Sequence, residues 1–405
     1  MRDRTATLPD GGMLKGQPGH EMVISEDCGA PPSRFVECGY YFSLSFTVFA
    51  SALQLAVPMV GIGMLVALTA LCALRLRSRR ITVYAPIAFP LACAISFVLI
   101  QVFVHSESLF DANVRPFVTW ILAIIIVHSL SLRRGFLHRF AIVALAIGVT
   151  TLPYLQVYTA TSMFERAGFD DDLGFFNANG LAAWFGFCAV YFTIAGIETE
   201  RAAVRVASWL TTVGCLYIIG LTVSRASLLA TAISIVVALR RVLKRGFLPL
   251  LFLLGFIWFT YESGLFDRIT DFYVARGTFD TGRASVWPLV LERFYSAPYA
   301  GVGVSDMATY VPSKGHEITP HNGFLYFALA SGIMPLTLYM AYWCHVALKS
   351  FRAHVARMPD APYLSPLLIY TFLIVQASNY YFMQPWAVVT LCTAMTAGAP
   401  RQRLG

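Results

Sequence analysis

From Tyr40 to Pro400 the chain is a succession of apolar runs separated by polar connections. A helix that crosses a bilayer needs about 20 predominantly apolar residues, and several runs reach that length. Tyr40–Leu74 is uncharged throughout, with Pro58 and Gly61 near its middle. It reads as one long tilted span or as a tight pair of helices, and the pair is preferred. Ile81–Val104, Phe117–Leu132, Phe140–Val157 and Leu173–Ile197 follow as single spans. Val206–Leu239 is too long for one span and suits two, with Arg225 as its sole charge. Gly246–Tyr261 is short but clear. The polar segment Glu262–Pro320 comes next, then the run His321–Leu348, then the uncharged Ala361–Pro400, which Asn379-Tyr380-Tyr381 divides in two. The pattern predicts an all-α polytopic integral membrane protein of about 12 transmembrane helices with one large outward loop. The expected layout is a disordered N-terminal tail over 1–37, helices 1–9 over 38–261, the loop over 262–320 and helices 10–12 over 321–400. No long internal repeat or inverted copy is visible, which weakens a transporter reading.

Charge sets the orientation. One set of connections is basic: Arg75/Arg77/Arg79/Arg80, Arg133/Arg134/Arg139, Arg201/Arg205, Arg240/Arg241/Lys244/Arg245, Lys349/Arg352/Arg357 and Arg401/Arg403. The alternate short connections carry only Arg115, Arg166 and Arg225. The basic set is therefore cytoplasmic, and Arg225 and the long loop face outward. Composition agrees: 57% of the 405 residues are hydrophobic and 13% are charged, against about 25% charged in soluble domains. The net charge of +8 serves topology and anionic membrane lipids and implies no nucleic acid. Eight cysteines are scattered singly, with no CxxC pair or zinc spacing, so neither a disulfide framework nor a structural metal is indicated. Residues 1–37 are polar and rich in Gly and Pro, without the apolar stretch of a signal peptide.

Within this frame Arg225 stands out. A cation at or inside a membrane face costs about 2.5–3.5 kcal/mol on insertion scales and marks a functional-site candidate. The outward loop holds Thr281-Gly282-Arg283, Trp287, Glu292, Arg293, Gly301-Val302-Gly303 and Lys314-Gly315-His316-Glu317, and it ends in Pro320-His321-Asn322-Gly323. The paired glycines suit a tight turn or close approach to a ligand. The loop has no GxGxxG, Walker A or DxD-like pair, so nucleotide chemistry is not supported. Arginine offers phosphate a planar, permanently charged fork. Two of them, Arg225 and Arg283, near one membrane surface suit a lipid diphosphate. Such a donor brings its own leaving group, so its enzyme needs no cofactor, only cations on the diphosphate and a base for the acceptor hydroxyl. His321, at the mouth of a span, is the candidate base, since an unperturbed histidine titrates near pH 6.5.

Each residue also has a plainer reading. Arg225 could snorkel to headgroups, and Arg283 could pair with Asp280 or Glu292. His321 and Asn322 could belong to a helix cap, as could Asn177 and Asn179. His316, Glu317 and His321 lack the spacing of a metal site. Asp170-Asp171-Asp172 reads as a solvated loop, and Tyr380/Tyr381/Phe382/Trp386 as an interfacial belt. His128 and His345 lie in apolar runs and read as packed between helices.

Taken in order, these motifs resemble a known family. Ser224-Arg225-Ala226-Ser227-Leu228 is similar to the Ser-Arg-Gly/Ala segment of the O-antigen ligase family. Gly282-Arg283 with Trp287, Gly301-Val302-Gly303 and His321-Asn322-Gly323-Phe324-Leu325 resemble its large periplasmic loop and the helix that follows. Phe176-Asn177-Ala178-Asn179-Gly180 is similar to its Asn-containing outer segment. The resemblance covers about Phe175–Trp343, and the N-terminal third matches in hydropathy alone. It implies a multi-pass glycosyltransferase of the GT-C kind in the bacterial inner membrane, working at the periplasmic face on an undecaprenyl-diphosphate-linked glycan. It implies that Arg225 and Arg283 bind the diphosphate, that His321 is the catalytic base, and that transfer is inverting and metal-independent. Arg293, Asn179 and Asn322 are further possible contacts. The acceptor it implies is lipid A–core for a ligase or another lipid-linked glycan for a polymerase. A protein O-oligosaccharyltransferase is the third branch, and a lipid-glycan transporter the reading outside enzymes.

Overall fold

The computed structural model describes residues 34–52, 58–77, 85–111, 114–131, 135–161, 164–168, 178–240, 283–311, 316–355 and 361–377, with isolated positions between 255 and 267. The helices are α1 (Arg34–Ala52), α2 (Pro58–Arg77), α3 (Ala85–Phe103), α4 (Arg115–Ser131), α5 (Phe136–Thr151), α6 (Ala178–Glu198), α7 (Ala202–Leu221), α8 (Arg225–Leu239), α9 (Arg283–Ser296), α10 (Gly323–Ser331), α11 (Ile333–Val355) and α12 (Ala361–Ala377). Three stretches are long and apolar enough to cross a membrane, Phe136–Tyr154, Ala178–Glu198 and Ala202–Leu221, and α3, α4, α8 and α12 contain shorter apolar segments. The protein is thus a helical membrane protein. Residues 1–33, most of 241–282 and residues 378–405 lie outside the described residues. So do the expectations for the N-terminal tail, the Gly246–Tyr261 span, Asp170–Asp172, Asn177 and the Tyr380–Trp386 belt.

The run Tyr40–Leu74 matches the preferred pair of helices, and three other features differ from the sequence pattern. The helical region begins at Arg34, so Glu37 sits in the first turn of α1 and not in a tail. The run Tyr40–Leu74 is two helices, with Gly39 of α1 packed close against Leu68 of α2. The run Phe140–Val157 stops being helical at Thr151; its end enters the strand β1 (Gln156–Thr161), which pairs antiparallel with β2 (Phe164–Gly168). Thr, Val and Tyr favour strands, and hydropathy alone does not separate them from the end of a span. A second short hairpin joins β3 (Thr309–Val311) to β4 (His316–Ile318) inside the outward loop.

The largest difference lies in His321–Leu348, expected as one span. Gly332 breaks it at φ 79°, and a Cβ there would collide with the carbonyl of Tyr299. The short α10 then folds back along α11: Phe324 and Phe327 pack on Tyr339 with ring centroids 5.1 and 4.5 Å apart.

Lipid tails are as apolar as leucine, so helix association depends on close packing and interhelical hydrogen bonds. The fold centres on α6, which is apolar on every face and buried along nearly its whole length. Its Gly186 lets Tyr370 of α12 and Thr231 of α8 approach the backbone, and the Tyr370 hydroxyl donates to Ala183 O at 2.6 Å. Trp184 Nε1 donates to Ala144 O of α5 at 2.8 Å. At the basic-rich end, the buried Glu37 accepts from Arg139 Nε and from the Tyr41 hydroxyl, each at 2.6 Å. A carboxylate at that depth needs such a partner.

Candidate functional site

The orientation of the helices follows from their contacts. In α6 and α7, Gly196 meets Trp209 and Ser208, while Thr193 Oγ1 lies 3.4 Å from Thr212 Oγ1, so the two run antiparallel. In α6 and α12, Tyr191 faces Tyr363 at 5.2 Å and Ala183 faces Tyr370, so they too run antiparallel. The start of α6, the end of α7, the start of α8 and the end of α12 therefore share one end. That end is the one poor in Lys and Arg. Thr231 and Tyr370 meet at Gly186. Six residues of helix rise about 9 Å, so Arg225 on α8 and Gln376 on α12 stand at one level. Gln376 Oε1 accepts from Asn322 Nδ2 at 2.9 Å, and Asn322 follows His321. The structure thus gathers Arg225 and His321 into one layer of the basic-poor end.

Arg225 is the first residue of α8 and is half-buried. The turn before it carries Val223 at φ 52°, a left-handed conformation that is an outlier for a β-branched side chain. Ser224 stands at the cap position without capping; its hydroxyl donates to Ser227 Oγ at 3.3 Å. His321 is exposed and also left-handed, at φ 48°, with Thr319 Oγ1 3.5 Å from its Nε2. Asn322, 5% exposed, caps α10 through Oδ1, which accepts from Phe324 N at 2.9 Å and Leu325 N at 3.2 Å. The cap reading of Asn322 holds, and the cap is what fixes His321 against the helix end. Strained backbone of this kind costs about 1–3 kcal/mol per residue and collects at functional sites. Among the described residues three non-glycine positions have positive φ, Ser106, Val223 and His321, and two of them flank or form this site.

The third candidate, Arg283, opens α9; its side chain lies outside the described residues. The helix is anchored beside His321, because Trp287 Nε1 donates to Pro320 O at 3.2 Å. Arg283 is one turn, about 6 Å, before Trp287. Arg225 and Arg283 each begin a helix and His321 lies two residues before one. Helix N-termini carry partial positive charge, so a cation there is unfavourable by about 0.3–1 kcal/mol, and an anion favourable.

The remaining candidates take other roles. The Arg293 guanidinium donates to Ala308 O at 2.6 Å, to Asp306 O at 2.5 Å and to Thr309 Oγ1 at 3.4 Å, so it ties α9 to the loop ahead of β3. Asn179 is exposed in the first turn of α6, at the same end of the bundle. Gly301-Val302-Gly303 is a packing device: both glycines have positive φ, Val302 N donates to Leu329 O at 2.7 Å, and a Cβ on Gly301 would strike the backbone of α10. Sequence reasoning passed over Gln101. It is wholly buried near the end of α3, where its Nε2 donates to Ala330 O and Ser331 Oγ at 2.8 Å and its Oε1 accepts from Val304 N at 2.9 Å. A lone amide in the otherwise apolar Ile81–Val104 was the available signal. Gln376 was passed over in the same way.

A helical membrane protein with Arg225 and His321 in one layer at the basic-poor end of its helices is the class these features define. Residues 210–340, from α7 through the outward loop to α11, match the family model described as O-antigen ligase. Over these residues the chain is similar to the O-antigen ligase family, in line with the resemblance that its motifs carry. Among curated proteins none matches it.

Proposed function

We propose that the protein is an O-antigen ligase-like glycosyltransferase that moves a glycan from undecaprenyl diphosphate to lipid A–core at the periplasmic face of the inner membrane. The acceptor hydroxyl oxygen attacks the anomeric carbon while His321 takes its proton. The bond from that carbon to the diphosphate oxygen breaks, and its electron pair leaves on the lipid diphosphate. Arg225 and Arg283 hold this group and stabilise the charge that develops on it. Attack opposite the leaving group inverts the anomeric centre, and no step calls for a metal.

The observation that carries the reading is the level shared by Arg225, Gln376 and Asn322, with His321 next to Asn322 and Arg283 one turn from Trp287. A lipid donor lying in the bilayer can present its diphosphate there. The test is transfer in vitro, with purified protein, lipid-diphosphate glycan, lipid A–core and EDTA. A glycosylated lipid A–core product is expected, and Arg225→Ala should lower its rate by about 10²–10³. Elongation of the donor itself would mean a polymerase, and no transfer to either would refute the reading.

A further inference from the structure

The α9 helix carries more than Arg283. Beyond Trp287 its next turns enter a cavity of about 860 Å³, lined by Leu289, Glu292, Arg293, Val302, Asp306 and Thr309 among others. Cavities of about 300–1,000 Å³ take ligands of drug size. Its charge is arranged unusually. Arg293 lines it together with two carboxylates, Glu292 and Asp306, and spends its donors on the carbonyls of Asp306 and Ala308 and on Thr309 Oγ1. Both carboxylates remain exposed, and neither has an ion pair or side-chain hydrogen bond among the described residues. The wall is net negative, with two carboxylates against one guanidinium, and its free carboxylate oxygens suit a ligand rich in hydroxyl donors. Hydroxyls give carboxylates short, charge-assisted hydrogen bonds.

Position completes the argument. The hydrogen bonds that tie Val302 and Gly303 to Leu329 and Ala330 place the cavity beside the far end of α10, away from His321. Trp287 lies beside Pro320 at the near end. So α9 orders three features along its axis: Arg283, then Trp287 beside His321 about 6 Å on, then Glu292 about 7.5 Å further. We infer that this cleft binds the saccharide of the acceptor, with Glu292 and Asp306 accepting from its hydroxyls. The inference rests on the donor and base assignments above. The donor then approaches from the Arg283 side and the acceptor from the cleft, and they meet at His321.

The test uses the full chain in detergent with lipid-diphosphate glycan and lipid A–core, varying each substrate in turn. Glu292→Gln with Asp306→Asn should raise the acceptor KM on the order of tenfold or more while the donor KM holds. Ala308→Trp, which fills the cleft and leaves both carboxylates in place, should do the same. Partial misfolding lowers kcat and moves neither KM, so it cannot mimic this result. Acceptor KM values within twofold of wild type in both variants, or donor and acceptor KM rising together, would overturn the inference while leaving the donor chemistry standing. A wild-type protein that transfers nothing would remove the reading beneath it, and the inference with it.

Discussion

His321 holds a conformation that its own side chain disfavours. At φ 48° a glycine would sit without strain, because it lacks a Cβ. Its neighbours impose this: Asn322 must turn its side chain onto the N–H groups of Phe324 and Leu325, and Trp287 clasps the preceding carbonyl. If the imidazole is kept for chemistry, removing it should separate activity from stability. His321→Gly should abolish transfer and raise thermal stability, by up to about 1 kcal/mol. His321→Ala should abolish transfer without that gain. Thermal unfolding of the two purified variants, set beside their transfer rates, checks this; an active glycine variant would remove His321 from the mechanism. Some of this site was legible in the sequence. Arg225 stood out because one charge in a long apolar run is costly. Arg293 could not be read, since nothing in its neighbourhood of sequence says that its guanidinium is spent on the carbonyls of Asp306 and Ala308.

Among the elements, α10 is the one on which the site depends. It has nine residues, too few to hold together alone in water, and it is steadied at both ends. Its start is capped by Asn322, which Gln376 of α12 orients; its end is held by Gln101 and by the Gly301–Gly303 turn. Between them Phe97, Phe117, Trp120 and Tyr339 enclose Tyr326 and Phe327. Asn322→Ala should cost about 0.5–2 kcal/mol through loss of the cap. Gln376→Leu should cost less, and should lower transfer by releasing Asn322 from α12. Unfolding midpoints and transfer rates of the two variants rank them; equal stability losses would contradict the division of labour. Hydropathy marks His321–Leu348 as an apolar run, but it is blind to direction. The fold-back at Gly332 depends on the Tyr299 carbonyl, which is distant in sequence and met only in the folded chain.

At the scale of the molecule, the alternation of basic and basic-poor connections matches the helix directions read from side-chain contacts, including Gly196 with Trp209 and Tyr191 with Tyr363. Both follow from one constraint: backbone polar groups must be satisfied inside each helix, and basic flanks stay on the cytoplasmic side. The interior is less predictable from composition. Nothing in an apolar run says which helix will be central, and α6 is central because Gly186 and the small residues around it admit Tyr370 and Thr231.

The reversal between α10 and α11 also bears on how the chain threads the bilayer. The two helices there should make a single passage, and a tally of helices would then overstate the number of times the polypeptide changes compartments. A reporter enzyme fused after Pro320 and one fused after Ser331 should be active on the same side, and only a fusion beyond Val355 should switch. Opposite signals from the first two fusions would mean that α10 crosses after all. Insertion machinery that measures apolar length would handle α10 and α11 as one unit, and the hairpin would then close only when Pro298–Gly303 arrives from the outward loop to receive it.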